Sequence, residues 1–377
     1  MNIGIDAYPL FAEQNTGIGR YILTMLENLS REDKSNDYYL YTPAITHSDI
    51  ARVIAKNKKF HIIAISGLFK NSRRLWLQSP QLVSHIRKNN IEVFWGGGEY
   101  IPVLLPKSVT AVTTIHDVVF RLFPETVSLS NNVFYRTLFR LCLRRADRCL
   151  TVSHSSKKEI HQLLGFPEEK IDVIYNAIDT ERYAKSKKNE EKRIVLFVGT
   201  LQPRKNLVNV LRGYVSASDY IDAPLVIVGA SGWKNSALRE YIENIPSDTR
   251  ARIEFRGFIS ENELVSLYRE ALCVVVPSLH EGFGLCIGEG MAAGSAVITS
   301  RRGAIEEVFG DAPLYVDPES PHEIASAIIR LITKKSVRVS HERAGLTCIK
   351  KYDISHVGKN YMSYFARLRK LRDSSPH

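Results

Sequence analysis

No stretch of this 377-residue chain approaches the roughly 18 consecutive apolar residues that a helix needs to cross a bilayer. The most apolar runs, such as 271–276, have the length of a strand. Cysteine is scarce: Cys142, Cys149, Cys273, Cys286 and Cys348 are an odd five, widely scattered and without CxxC spacing. That argues against a disulfide framework and against a structural zinc site. The opening residues Met1-Asn2-Ile3-Gly4-Ile5-Asp6 carry neither a basic flank nor a long apolar stretch, so no signal peptide is expected and the protein reads as cytoplasmic. A disordered chain is excluded for most of the length, because apolar residues make up 44% and charged residues 24%, the balance of a soluble globular protein.

What is present is length for two domains of ordinary size, and a lopsided charge. The net charge is +11. Residues 51–150 hold 16 Lys and Arg against 5 Asp and Glu, and the rest of the chain holds 35 of each sign. All of the excess therefore sits in one segment, which suggests an anionic partner for the N-terminal half. Nucleic acid, anionic lipid and a plainly solvated face all fit that composition.

Short apolar runs alternate with longer amphipathic ones. Strands are expected at 2–6, 38–41, 61–65, 92–95, 111–115, 149–152 and 172–175, with helices at 19–29, 75–88, 131–147 and 155–164. After a polar stretch at 184–192 the pattern restarts, with strands at 194–198, 225–228, 253–255, 273–276, 296–299 and 314–316. Near-continuous apolar strands with helices between them indicate parallel sheets covered on both faces. The expected fold is α/β: two doubly wound, Rossmann-like domains, 1–183 and 193–355, joined by a linker at 184–192 and facing a cleft. A C-terminal helix at 356–377 is expected to pack back on the first domain.

Four groups of residues could carry chemistry. Thr16-Gly17-Ile18-Gly19-Arg20 follows the first strand, where glycines and a helix start let backbone N–H groups approach a phosphate; a plain tight turn fits as well. His116, in Thr114-Ile115-His116-Asp117, stands at a strand's carboxyl end, where α/β proteins expose functional groups, although a single His there is more often structural. Gly199-Thr200-Leu201-Gln202-Pro203-Arg204-Lys205-Asn206 joins a strand to a helix and sets two adjacent cations where they could neutralise a diphosphate. The fourth group runs from Pro277 to Gly294 and holds Glu281 and Glu289 with seven residues between them, one before a helix start and one inside it. A carboxylate there can accept paired hydroxyls of a sugar or ribose. Two carboxylates also serve glycoside hydrolysis, but that reaction needs an acid and a base flanking a bond rather than a glycine-rich helix start.

In this order the motifs resemble those of the retaining GT-B glycosyltransferases of family 4, over almost the whole length. Besides Gly17-Ile18-Gly19, Ile115-His116-Asp117, Arg204-Lys205 and the two glutamates, the likeness rests on Thr151-Val152-Ser153, on 173–179 and on the small loop 300–307. The resemblance implies that Arg204 and Lys205 hold the donor diphosphate and stabilise it as a leaving group. Gly17 and Gly19 would approach the diphosphate and acceptor, and His116 would lie against the transferred sugar. Glu281 would bind that sugar's hydroxyls and Glu289 the ribose, with Gly282, Phe283, Gly284 and Leu285 lining the same donor site. It implies no metal and no cofactor beyond the donor, and no Asp-x-Asp motif occurs in the chain. The pattern departs at Thr200, where many relatives carry Arg, and at Gly288 and Gly290, which were expected to loosen their helix. The stretch around Arg204-Lys205 is similar to bacterial O-antigen mannosyl- and deoxyhexosyltransferases, which implies a GDP-sugar donor, with a UDP-sugar as the alternative, and a lipid-linked oligosaccharide acceptor. A basic nucleic-acid-binding protein would explain the charge but not the glutamates, and no nucleic-acid motif appears. Arg136, Arg140, Arg144, Arg145 and Arg148 are expected to form a basic stripe on one helix, docking the protein peripherally on the inner face of an anionic membrane.

Overall fold

The computed structural model describes the chain except residues 12–16, 45–56, 68, 127–128, 185–190, 192, 231–235 and 374–377. Thr16 and nearly all of the expected linker lie outside the described residues. Two wholly parallel sheets organise the rest. The first has seven strands, β1 (Asn2–Asp6), β2 (Asp37–Thr42), β3 (Phe60–Ala64), β4 (Val93–Gly96), β5 (Thr110–Thr114), β6 (Arg148–Thr151) and β7 (Ile171–Val173), in the order β3-β2-β1-β4-β5-β6-β7. The second has six: β8 (Ile194–Val198), β9 (Leu225–Val228), β10 (Ile253–Gly257), β11 (Ala271–Val276), β12 (Ala296–Thr299) and β13 (Leu314–Tyr315), ordered β10-β9-β8-β11-β12-β13.

Both sheets are the doubly wound arrangement, with the order reversing between β1 and β4 and between β8 and β11. Outside the carboxyl ends of strands at such a reversal, adjacent loops part and leave a crevice for a ligand. β8, β9 and β12 are buried along their whole length, because helices cover both faces of a parallel sheet. In the second sheet Phe197, Leu211, Tyr214, Ile298 and Ile328 belong to one core of strand and helix side chains.

The chain forms two compact units. One comprises Met1–Val118, Leu129–Ala177 and Ile354–His377; the other comprises Val119–Ser128 and Ile178–Asp353. The helix Ile354–Asp373 thus belongs with the first sheet, where it packs on the helix Gly17–Glu32. Asn28 Nδ2 donates to the Ile354 carbonyl at 2.7 Å and Tyr361 hydrogen-bonds Tyr21.

Two expected helices are broken. The stretch 75–88 divides into Arg73–Trp76 and Pro80–Lys88, because Pro80 starts a new helix and Ser79 caps it through the Leu82 N–H. The stretch 131–147 divides into Leu129–Arg136 and Leu138–Arg145 at Thr137, whose backbone is non-helical and whose hydroxyl donates to the Val133 carbonyl. The single stripe of five arginines therefore does not exist. Arg145 is spent on the carbonyls of Leu105, Pro106 and Val109, and Arg148 lies in β6, paired with Asp172 at 2.7 Å. No helix among the described residues is long and apolar enough to cross a membrane.

Candidate active site

The loops after β8 and β11 meet at the reversal of the second sheet. Gly199 follows β8 with its N–H on the Val228 carbonyl, and Gly229 beyond β9 crosses so close that a Cβ there would lie 2.0 Å from the Gly199 carbonyl oxygen. The turn Pro203–Lys205 follows, and it is arrested by Asn206 in the left-handed region at φ 62°. Asn206 Nδ2 donates to the carbonyls of Pro277 and Pro318, and Leu279 N donates to the Arg204 carbonyl at 2.8 Å. Three loops are thereby stitched together under the Arg204-Lys205 pair.

Glu281 receives both cations. Arg204 Nη1 lies 3.0 Å from Oε2 and also donates to the His280 carbonyl, while Lys205 Nζ lies 2.6 Å from Oε1. The side chains are only 11%, 12% and 8% exposed. Burial opposes ionisation of Glu281, but Lys205 and then Arg204 outweigh it and hold the carboxyl well below the usual carboxylate range. Two cations thus meet one carboxylate in a largely dry setting, where a diphosphate would interact strongly with them. The loop after β12 fixes the glutamate's backbone: Ala304 N donates to the Glu281 carbonyl, and a Cβ on Gly303 (φ 65°) would fall 2.4 Å from that oxygen.

Gly284, in the left-handed region at φ 92°, opens the helix Leu285–Ala292. Among the described residues no side chain caps this helix start, and no acidic residue stands in its first turn, so its N-terminal dipole favours an anion. Glu289 is buried inside the helix, where its Oε2 accepts from the Tyr268 hydroxyl at 2.9 Å. Burial, then the neighbouring carboxylate, pushes the Tyr268 phenol well up, so it remains a donor. Gly288 and Gly290 do not loosen the helix. A Cβ at Gly288 would sit 3.1 Å from Ile178 and one at Gly290 3.0 Å from Val274, so both glycines are close-packing positions.

In the first unit, His116 follows β5 with its Nε2 3.0 Å from the Gly97 carbonyl. A carbonyl only accepts, so Nε2 carries the proton. The Tyr21 ring stands perpendicular to the imidazole at 4.7 Å. Gly17 and Gly19 begin the helix Gly17–Glu32, and space around a Gly17 Cβ is open. At the end of β1, the fully buried Asp6 accepts from Arg73 Nε at 2.8 Å and from the Tyr8 N–H. The sequence assigned no role to Asp6, Asn206 or Tyr268. A lone Asp ending an apolar strand was the one visible signal, for Asp6.

Residues 15–182 match the family described as Glycosyltransferase Family 4, and residues 179–345 the family described as Glycosyl transferases group 1. The chain is 27% identical over 366 residues to O-antigen chain mannosyltransferase B of Escherichia coli, spanning 92% of this chain and 93% of that one. O-antigen chain mannosyltransferase RfbU of Salmonella typhimurium is 30% identical over 228 residues, 60% of this chain and 61% of its own length. The crystal structure of Anabaena Alr3699/HepE in complex with UDP and glucose superposes with a TM-score of 0.73 at 16% identity, over 97% of this chain and 100% of that chain. WaaG, a glycosyltransferase involved in lipopolysaccharide biosynthesis, superposes at 0.67 with 14% identity, over 96% and 98%. At these identities the structures share the GT-B fold.

Proposed function

We propose, since the chain belongs to glycosyltransferase family 4, that it takes a hexose from a GDP-sugar, with mannose or a deoxyhexose favoured, and passes it with retention of configuration to a lipid-linked glycan in bacterial surface polysaccharide synthesis. The observation that carries this reading is the buried, net-positive cluster of Arg204, Lys205 and Glu281 at the reversal of the second sheet. The bond from the sugar's anomeric carbon to the diphosphate breaks as the bond to the acceptor oxygen forms on the same face; the electron pair leaves on the diphosphate, and the acceptor hydroxyl's proton passes to the departing diphosphate oxygen. Arg204 and Lys205 balance that charge, the guanidinium by directed hydrogen bonds and the ammonium as a point charge. With two protein cations at the leaving group, no divalent metal is required.

Glu281 takes hydroxyls of the transferred sugar and keeps the cations in place. Glu289, oriented by Tyr268, takes the ribose; Gly282, Phe283, Gly284 and Leu285 line the donor; His116, Gly17 and Gly19 belong to the sugar and acceptor side. The mannosyl and O-antigen reading is supported by the two mannosyltransferase relatives. A thermal-shift screen tests it, because a ligand that binds only the folded state raises the melting temperature. GDP-mannose is expected to stabilise the protein equally with and without EDTA. Stabilisation by UDP-sugars alone would move the donor class, and strict dependence on magnesium or manganese would overturn the metal-free reading.

A further inference from the structure

β10 is the edge of the second sheet: among the described residues it pairs with β9 alone. The strands β8 and β9 are buried along their whole length, whereas Glu254, Phe255, Arg256 and Gly257 of β10 are all exposed. An open edge offers a row of backbone groups to any strand that aligns with it. Proteins commonly blunt such edges with proline, with lysine or with charge that repels a second copy. Proline and lysine are absent from Ile253–Gly257. The charges that are present, one glutamate and one arginine two residues apart, invite a second copy rather than repel it.

Leu225 N donates to the Arg252 carbonyl, so in an alternating strand Arg252 and Glu254 turn their backbone groups to β9 and Phe255 turns its N–H and C=O outward. The register shifts between Phe255 and Gly257. Gly257, in the left-handed region at φ 62°, gives its carbonyl to Gly229 N and ends the strand. Phe255 is thus the centre of the open edge. Glu254 and Arg256 share one face of the strand, where Arg256 Nε lies 2.7 Å from Glu254 and Nη1 3.4 Å from Glu263 of the helix Glu261–Glu270. Phe255 stands on the other face, 42% exposed. Arg252 holds the turn bearing Tyr220 at the start of β10, donating to the carbonyls of Ser218 and Ile221, and Phe258 follows the strand's end. Tyr220, Phe255 and Phe258 are three of the five large hydrophobic side chains exposed in the second unit among the described residues.

We infer that β10 is a self-association edge, and that its partner is β10 of a second copy of this chain, paired antiparallel about a two-fold axis at Phe255. In that register Phe255 faces its own copy, the two residues exchanging both N–H···O=C bonds. Glu254 of each chain then stands opposite Arg256 of the other, so both charged pairs across the axis attract. A parallel, in-register pairing would set Glu254 on Glu254 and Arg256 on Arg256, so the charges select the antiparallel sense. The same sense carries the Tyr220 end of one strand towards the Phe258 end of the other. An unrelated strand could use the backbone groups, but Glu-Phe-Arg is complementary to its own reversal, and that singles out a second copy. A two-fold contact occupies the edge on both chains at once and closes as a dimer.

Sedimentation equilibrium of the full-length protein over a concentration series tests it. The wild type is expected to dimerise reversibly. Arg256→Glu makes both cross-strand pairs acidic and Glu254→Arg makes both basic, so each variant alone is expected to dimerise about tenfold more weakly or worse. Lys335→Glu, which changes the net charge as much as Arg256→Glu, is expected to leave dimerisation unaltered. Mixing Arg256→Glu with Glu254→Arg in equal amounts again sets opposite charges across the axis. The mixture is expected to form a heterodimer about as tight as the wild-type dimer. The ion pairs that Arg256 makes within its own chain are exposed, so the reversals cost little stability, and recovery on mixing shows that both variants are folded. A wild type that stays monomeric throughout, association that both reversals leave unchanged, or a mixture that associates no better than its components overturns the edge.

Discussion

Glu281 is asked to bind a sugar while already holding two cations, and this double duty sets what its replacement does. Removing the carboxylate leaves Arg204 and Lys205 buried without their counter-charge, a change that typically costs about 3–5 kcal/mol. Glu281→Ala is therefore expected to lose stability as well as turnover, and its melting temperature is expected to recover in part when pyrophosphate is added. Arg204→Ala and Lys205→Ala each leave Glu281 one partner, so the loss is expected mainly in kcat, by about 2–4 kcal/mol at the transition state. Near-normal rates in both variants, measured with the donor that stabilises the protein, would remove the pair from the reaction. The pH dependence follows in sign from the depressed carboxyl. Glu281 ordinarily titrates at 4.5, and in the folded protein it titrates well below that value. Its contribution is complete above the ordinary value and drains away as pH falls from there towards the folded value. The melting-temperature gap between the wild type and Glu281→Gln is accordingly expected to narrow as pH is lowered from about 6 to about 3; a constant gap would show that the ion pairs add nothing.

At the scale of elements, the helix Leu285–Ala292 carries Glu289 at a fixed depth because two glycines let it lie against its neighbours. Gly288→Val and Gly290→Val are expected to destabilise by about 1–3 kcal/mol through overpacking, whereas Gly17→Ala, at an open helix start, is expected to be neutral or slightly stabilising. Chemical denaturation of the three variants checks the ranking. Strands were legible where a parallel strand buried on both faces is an unbroken apolar run: β8 and β9 lie where the apolar residues do. Helix ends were less legible, since the breaks before Pro80 and at Thr137 are set by one proline and one hydroxyl inside otherwise periodic stretches. Glu281 and Glu289 stood out as charges in apolar surroundings. Tyr268 did not, because a tyrosine on the buried face of a helix reads as core until its hydroxyl is seen on a residue 21 positions away. Asn206 was equally hidden, its carbonyl partners lying 71 and 112 residues further on.

For the whole molecule, the governing feature is that neither compact unit is a continuous piece of chain. The helix Ile354–Asp373 adds Tyr361, Tyr364, Phe365 and Leu368 to the buried interior of the first unit. It crosses the helix Gly17–Glu32 so closely that a Cβ on Gly358 would fall 1.5 Å from Asn28 Oδ1. Gly358→Ala is expected to destabilise by about 1–3 kcal/mol, read as an earlier unfolding transition in calorimetry. The pairing of Asn28 with Ile354 spans 326 residues. On a translating ribosome, where chains emerge at about 5–20 residues per second, the first sheet must wait for the rest of the polypeptide before its last covering helix arrives. Unit 2, whose segments have all emerged by Asp353, can close first. The usual N-terminal-first order of maturation is reversed for the final step, and during that interval the apolar ground left for Tyr361 and Phe365 is what a holdase chaperone would grip.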